Sequence, residues 1–165
     1  MMAACVACLA PLASVSAADL KIGVVDLQRV VEASPQAEAA RSKLEKEFSG
    51  RASKLQAAQK EFKANEDKLT KDGAIMSETE RNRLERELVN KQRDLKRDLQ
   101  EYQEDYNFRQ NEEMRSIQQL IGEATVALSK EQQFDLVLAK QAAVFSNPKL
   151  DISEQVIERL KKGAK

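Results

Sequence analysis

FSGRASKLQAAQKEFKANEDKL, Phe48–Leu69, carries an apolar side chain at every seventh position: Phe48, Leu55, Phe62 and Leu69. Seven residues is close to two helical turns, so these four line one narrow stripe along a helix. Leu44 adds an apolar position four residues earlier. Leu84, Leu88, Leu95, Leu99, Tyr102 and Tyr106 mark one helical face of a later stretch. Neither stripe is apolar enough to stand alone in water, and the nearest partner for each is the other. Pro35–Gln132 is therefore expected to fold as two long helices laid against each other.

The turn between them is legible at Lys71–Ser77. Gly73 is expected to take the left-handed conformation that ends a helix. Ser77-Glu78-Thr79-Glu80 reads as a capping box, with hydroxyl and carboxylate serving free amides at a helix start. If the arms fold back near residue 75, facing residues have numbers that total about 150. That register pairs Phe62 with Leu88, Leu55 with Leu95, Phe48 with Tyr102 and Leu44 with Tyr106. The second arm, from Glu78 to Glu131, is the longer. Its last apolar positions, Met114, Ile117, Leu120, Ile121, Ala124 and Leu128, overshoot the first arm and must pack on something else.

Outward toward the start, Met1–Ala18 holds no charged residue and ends in Ser-Val-Ser-Ala-Ala, small residues of the kind a signal peptidase requires. The apolar run Met2–Leu12 is too short to span a bilayer. No Lys or Arg precedes it, so either the true start lies upstream or the signal is atypical. The expectation is a cleaved signal peptide over residues 1–18 and export. Retention of an uncleaved N-terminus is the alternative, and a lipoprotein signal at Cys5 or Cys8 fits poorly.

Both cysteines fall within that signal, and the chain has no His and no Trp. Beyond residue 18 there is thus no residue for a disulfide, a thiolate metal site or a Cys nucleophile, and the usual general base is missing. Neither an enzyme nor a cofactor is expected. The 27 basic and 27 acidic residues all lie after residue 18, a composition typical of long exposed helices. A net charge of zero argues against general nucleic-acid binding, which needs a sustained basic surface.

Leu20–Leu27 (LKIGVVDL) reads as a buried strand, with Ile22 and Val24 on one side and Val25 and Leu27 on the other. Asp26 is placed to cap a short helix, Leu27–Ala33, after which Ser34 and Pro35 occupy the favoured first positions of the long arm. Beyond the hairpin, Phe134–Leu138 is expected to form a second strand and Ala142–Ser146 a third. A last helix, Glu154–Lys162, shows one apolar face made by Ile152, Val156, Ile157 and Leu160. Three short strands make a poor sheet with raw edges. Several copies pooling strands would close it, so a homo-oligomer is expected. The division is 1–18 signal, 19–34 with 132–165 association body, and 35–131 helical hairpin. The class is α+β, mostly α.

Leu44–Gln56 (LEKEFSGRASKLQ), Arg109-Gln-Asn-Glu-Glu113, Asp135-Leu-Val-Leu138, Val144-Phe-Ser-Asn147 and Asp151-Ile-Ser153 resemble the Skp (OmpH-like) periplasmic chaperones. The resemblance runs in order along essentially the whole chain. It implies a homotrimer, with a small β body and three helical tentacles around a cavity. Unfolded outer-membrane proteins would be held in that cavity without ATP. It also implies oligomerisation residues among the terminal apolar positions: Ile22, Val24, Leu27, Leu136, Leu138, Val144, Ile152 and Val156. Family members are often strongly basic, and contact with lipopolysaccharide or a membrane surface is attributed to basic residues in the returning arm. Here Gln103–Met114 has only Arg109, and Lys60–Glu87 has seven basic and eight acidic residues, which weighs against that contact.

Three residues stand out as candidates for client contact. Ile75 and Met76 lie at the tip outside both stripes, where they either touch a client or plug the turn. Phe108 lies off the seam that takes Tyr102 and Tyr106, and is the better candidate to face a cavity. Two rivals use the same residues differently. One is a passive coiled-coil spacer or adaptor of the envelope, which would want a seam without the interruptions at Arg51, Ala58 and Asn65. The other is a prefoldin-like cytosolic chaperone, which would keep residues 1–18.

Overall fold

The computed structural model describes residues 20–163; the expected signal segment lies outside them. The strand read in LKIGVVDL is present as β1, Ile22–Val25, with Gly23, Val24 and Val25 buried. The Asp26 carboxylate accepts the Arg29 amide proton at 3.2 Å and opens α1, Leu27–Ala33. Ser34 then closes α1 and opens α2, Pro35–Asp72; its hydroxyl accepts the Ala37 amide at 3.2 Å, and Pro35, which has no N–H to satisfy, takes the first helical position. The long returning helix is α3, Glu78–Glu131. At its start the Ser77 hydroxyl accepts the Glu80 amide at 3.3 Å while the Glu80 carboxylate accepts the Ser77 amide at 3.2 Å, the reciprocal capping box expected there.

Gly73 does not behave as expected. Its φ of −55° and ψ of −32° are right-handed, and its amide donates to the Leu69 carbonyl at 3.0 Å. What glycine supplies is the missing Cβ, which would collide with that same carbonyl oxygen. The left-handed residue lies instead at the far end of α3, where Gln133 has φ 56° and turns the chain into the body.

After that turn come β2, Leu136–Ala139, and α4, Ser153–Gly163. The third strand expected over Ala142–Ser146 is absent. Lys140–Ala142 and Pro148–Leu150 are short 3-10 turns, and the chain between them is irregular. A strand needs a ladder partner. The remaining edge of β1 is occupied at Val24, whose carbonyl accepts the Ile152 amide at 2.9 Å, and Val24 bridges to Asp151. β1 and β2 pair in parallel, Ile22 opposite Leu136 through Val25 opposite Ala139. Parallel pairing demands a crossover, and here α1, α2 and α3 together supply it.

The overshooting end of α3 is covered from within the chain. Ile117, Ile121 and Leu128 pack with Val25 and Val30 on one side and with Ile152, Val156, Ile157 and Leu160 on the other. Val30 and Val156 are 0% exposed. The something else on which the overshooting end had to pack is thus supplied by the same chain. α4 lays its apolar face against α1 and the end of α3. Ser153, also fully buried, has its hydroxyl as acceptor for the Asp26 amide at 2.8 Å, joining the two chain ends.

On the body side of the hairpin the expected pairing of Phe48 with Tyr102 is present. Phe48 stands edge-on to Tyr102, ring centroids 5.6 Å apart, and to Tyr106 at 5.2 Å. Ion pairs flank that seam: Lys43–Glu113 at 2.6 Å, Glu47–Arg109 at 3.2 Å, Arg51–Asp105 at 2.6 Å, and Glu61–Lys91. Lys43–Glu113, Glu47–Arg109 and Arg51–Asp105 each lie six residues beyond the simple facing rule and Glu61–Lys91 two, because long charged side chains reach diagonally around an apolar stripe.

Candidate functional site

The chain has no His and no thiol after residue 18. Among the described residues, no group of three or more His, Cys, Asp or Glu side chains is placed to hold a metal ion. No described helix is long and apolar enough to cross a membrane. The candidate surface is the set of large apolar side chains left in solvent; Val89, Leu99, Leu120 and Val126 are exposed along α3, and the residues singled out by sequence lie in three further places.

At the tip, Ile75 is 86% exposed whereas Met76 is half-buried. Both amides donate to the Asp72 carbonyl, Ile75 at 2.9 Å and Met76 at 3.1 Å, so a tight turn holds Ile75 outward and tucks Met76 partly inward. The two readings of this pair thus divide between its members: Ile75 is offered to solvent, and Met76 partly plugs the turn.

Midway along α3, Phe108 is 63% exposed while its neighbours Tyr102 and Tyr106 are folded into the seam. About thirty helical residues at ~1.5 Å each separate Phe108 from the tip, roughly 45 Å, so the structure does not bring the three candidates together. Between Phe108 and the body the arms leave a cavity of about 420 Å³ lined by Leu44, Phe48, Tyr102, Tyr106, Met114 and Ile117 among others. Arg41, Glu45 and Glu113 are its charged lining residues. Arg109 bridges Glu47 and Glu112, and these carboxylates, Glu47 first, hold its guanidinium still more firmly charged than usual. The sole basic residue of Gln103–Met114 is thus already paired. Arg51 lies over the Phe48 and Tyr102 rings at 5.8 and 5.9 Å.

At the body, the eight residues assigned to oligomerisation separate into two groups. Val24, Ile152 and Val156 are buried in the core of their own chain, and Ile22 is half-buried. Leu27, Leu136, Leu138 and Val144 are exposed, Val144 completely. Sequence reading missed Phe145, 85% exposed beside Val144, because both were placed inside a strand. Leu136 and Leu138 alternate with Val137, which packs on the core, so they share the open face of β2. A two-stranded sheet with a bare apolar face and an adjoining apolar loop is an edge awaiting cover.

A long helical hairpin rising from a small two-stranded body, with apolar side chains bare on the arm and at the sheet, defines a mostly helical hairpin-on-sheet class of protein. The chain belongs to the OmpH-like family: the family model described as "Outer membrane protein (OmpH-like)" matches residues 21–160. It is 31% identical to "Chaperone protein Skp" of Yersinia enterocolitica over 153 residues, covering 93% of this chain and 92% of the relative. It is 32% identical over the same length to "Chaperone protein Skp" of Pectobacterium atrosepticum. The crystal structure of a Caulobacter crescentus protein described as OmpH-like shares the fold, with a TM-score of 0.74 at 15% identity over 94% of this chain and 92% of that one. The family's members are chaperones, not enzymes.

Proposed function

We propose that this protein is a periplasmic chaperone that assembles as a homotrimer and holds unfolded outer-membrane proteins between its helical arms without ATP. The similarity to Skp chaperones over nearly the whole chain supports the chaperone role. The structural observation that carries the assembly is the bare face of β2: Leu136 is 47% exposed, Leu138 36%, and Val144 and Phe145 lie open beside them. Three copies pooling such edges hide them from water, while the 38-residue α2 carries each arm about 57 Å outward and the 54-residue α3 returns it over about 80 Å into the body.

The holding surface is apolar and weak at each point, which suits a client that must later be released. Ile75 and Phe108 are its exposed members. Contact with lipopolysaccharide is not part of the reading, since the tip is near neutral and Arg109 is engaged by carboxylates. Native mass spectrometry of the chain lacking residues 1–18, with and without an unfolded outer-membrane barrel, tests it. Three copies are expected, with client retained in their company; a monomer, or a trimer that never retains client, overturns it.

A further inference from the structure

Burial along the hairpin is uneven. Toward the body, Leu44 and Phe48 are 5% and 4% exposed. Toward the tip, Leu55, Phe62, Leu69, Leu84 and Leu95 are only half-buried, and Leu88 reaches 9%. The charged ties follow the same gradient. Three cross-arm ion pairs crowd the body-side half, whereas Glu61–Lys91 stands alone in the tip half among the described residues. The stripe of α2 is interrupted at Arg51, Ala58 and Asn65. Each helix satisfies its backbone within itself, so parting the arms breaks no ladder of main-chain hydrogen bonds. What resists parting is half-buried apolar contact and one exposed ion pair.

We propose that the tip half of the seam is a latent binding surface: the arms part beyond Arg51 and Asp105, and an apolar segment of an unfolded client replaces the opposite arm against Leu55, Phe62, Leu88 and Leu95. This rests on the client-holding reading above. Closed, the seam covers its own apolar residues, which keeps an empty chaperone from aggregating with its neighbours. Opened, it offers a client fuller burial than the two arms give each other. The occupant is an uncharged apolar segment rather than an acidic one, because the surrounding Lys60–Glu87 carries seven basic and eight acidic residues and so has almost no net field.

Stapling tests this. With residues 1–18 removed the chain has no cysteine, so Glu61→Cys with Lys91→Cys, joined by a short bismaleimide, ties the tip half shut. Lys43→Cys with Glu113→Cys ties the body-side half as the control. The tip staple is expected to weaken retention of an unfolded barrel by about tenfold, while the body-side staple and its unlinked variant retain it as the parent does and the unlinked tip variant, freed of its ion pair, retains it at least as tightly. A tip-stapled protein that retains client as tightly as the unlinked one overturns the proposal. Spin labels at 61 and 91 give a reading that does not depend on client: a broad distance distribution including separated arms is expected in the empty protein. A single narrow distance overturns the parting of the arms, even where the parent's failure to hold client has already removed the chaperone reading.

Discussion

Phe48 of α2 and Tyr102 of α3 meet edge to face, ring planes at 86° and centroids 5.6 Å apart, fifty-odd residues apart in sequence. Phe48 is 4% exposed, so its ring is the main apolar tie between the arms where they leave the body. Phe48→Ala is expected to cost about 3 kcal/mol, the range for emptying a buried aromatic site. Thermal or urea denaturation followed by helical circular dichroism measures it. A loss near zero would mean that the arms hold together without this joint.

Gly23 lies where β1 is covered on both sides. A Cβ built there would come within 3.0 Å of the Ile152 side chain and 3.3 Å of the Phe134 ring. Gly23→Val is therefore expected to destabilise by about 1–3 kcal/mol through overpacking. Adding Ile152→Ala should restore part of the loss, and no restoration would place the fault in the backbone instead.

The chain ends are joined by a charged cluster with a definite pH window. Lys140 donates to the Asp26 carboxylate at 2.8 Å, which with the Arg29 amide holds that carboxyl below its ordinary 3.8. Asp151 is held below 3.8 by its hydrogen bonds with Ser153, and Lys140 is raised above 10.5 by Asp26. Depressed carboxyls contribute stability that is present above their unfolded value and lost as the pH falls through the folded one. A raised lysine contributes below its unfolded value and loses that contribution as the pH climbs through the folded one. The melting-temperature difference between parent and Asp26→Asn should be full near pH 7 and shrink as the pH falls below 3.8, through the lowered folded value. A difference unchanged across that span would show that the charge of Asp26 is idle.

Exposure divides the body residues into testable halves. Leu136→Asp with Leu138→Asp alters only the open face of β2, so native mass should fall to one subunit while helix content persists. Val156→Asp puts a charge at a fully buried position and should unfold the body outright. Assembly that survives the first pair would move the contact elsewhere.

At the tip, Ile75→Ser with Met76→Ser removes the most exposed apolar side chain of the hairpin and its half-buried neighbour. Client retention is expected to drop roughly five- to tenfold, about what losing one or two apolar contacts does. Trimer mass should stay the same. Unaltered suppression of aggregation would take the tip out of the holding surface.

The helices and their ends are written in local residues. A seven-residue repeat, Ser34-Pro35 and the Ser77–Glu80 box act within a few positions of themselves, so α1, α2 and α3 are legible in the chain alone, the last of them to both ends. The pairing of Phe48 with Tyr102 follows too, because a fold-back between two regular helices leaves a single register free. Packing is not local. Whether Val144 and Phe145 form a strand depends on an edge of β1 that Asp151 and Ile152 already hold, and whether α3's end stays bare depends on α4 returning across it. Gly73 is glycine for a carbonyl it would otherwise strike, not for a left-handed turn. Repeats and caps state what a segment can become; which surface each segment covers, and which is left open to water, is decided only when distant segments compete for the same space.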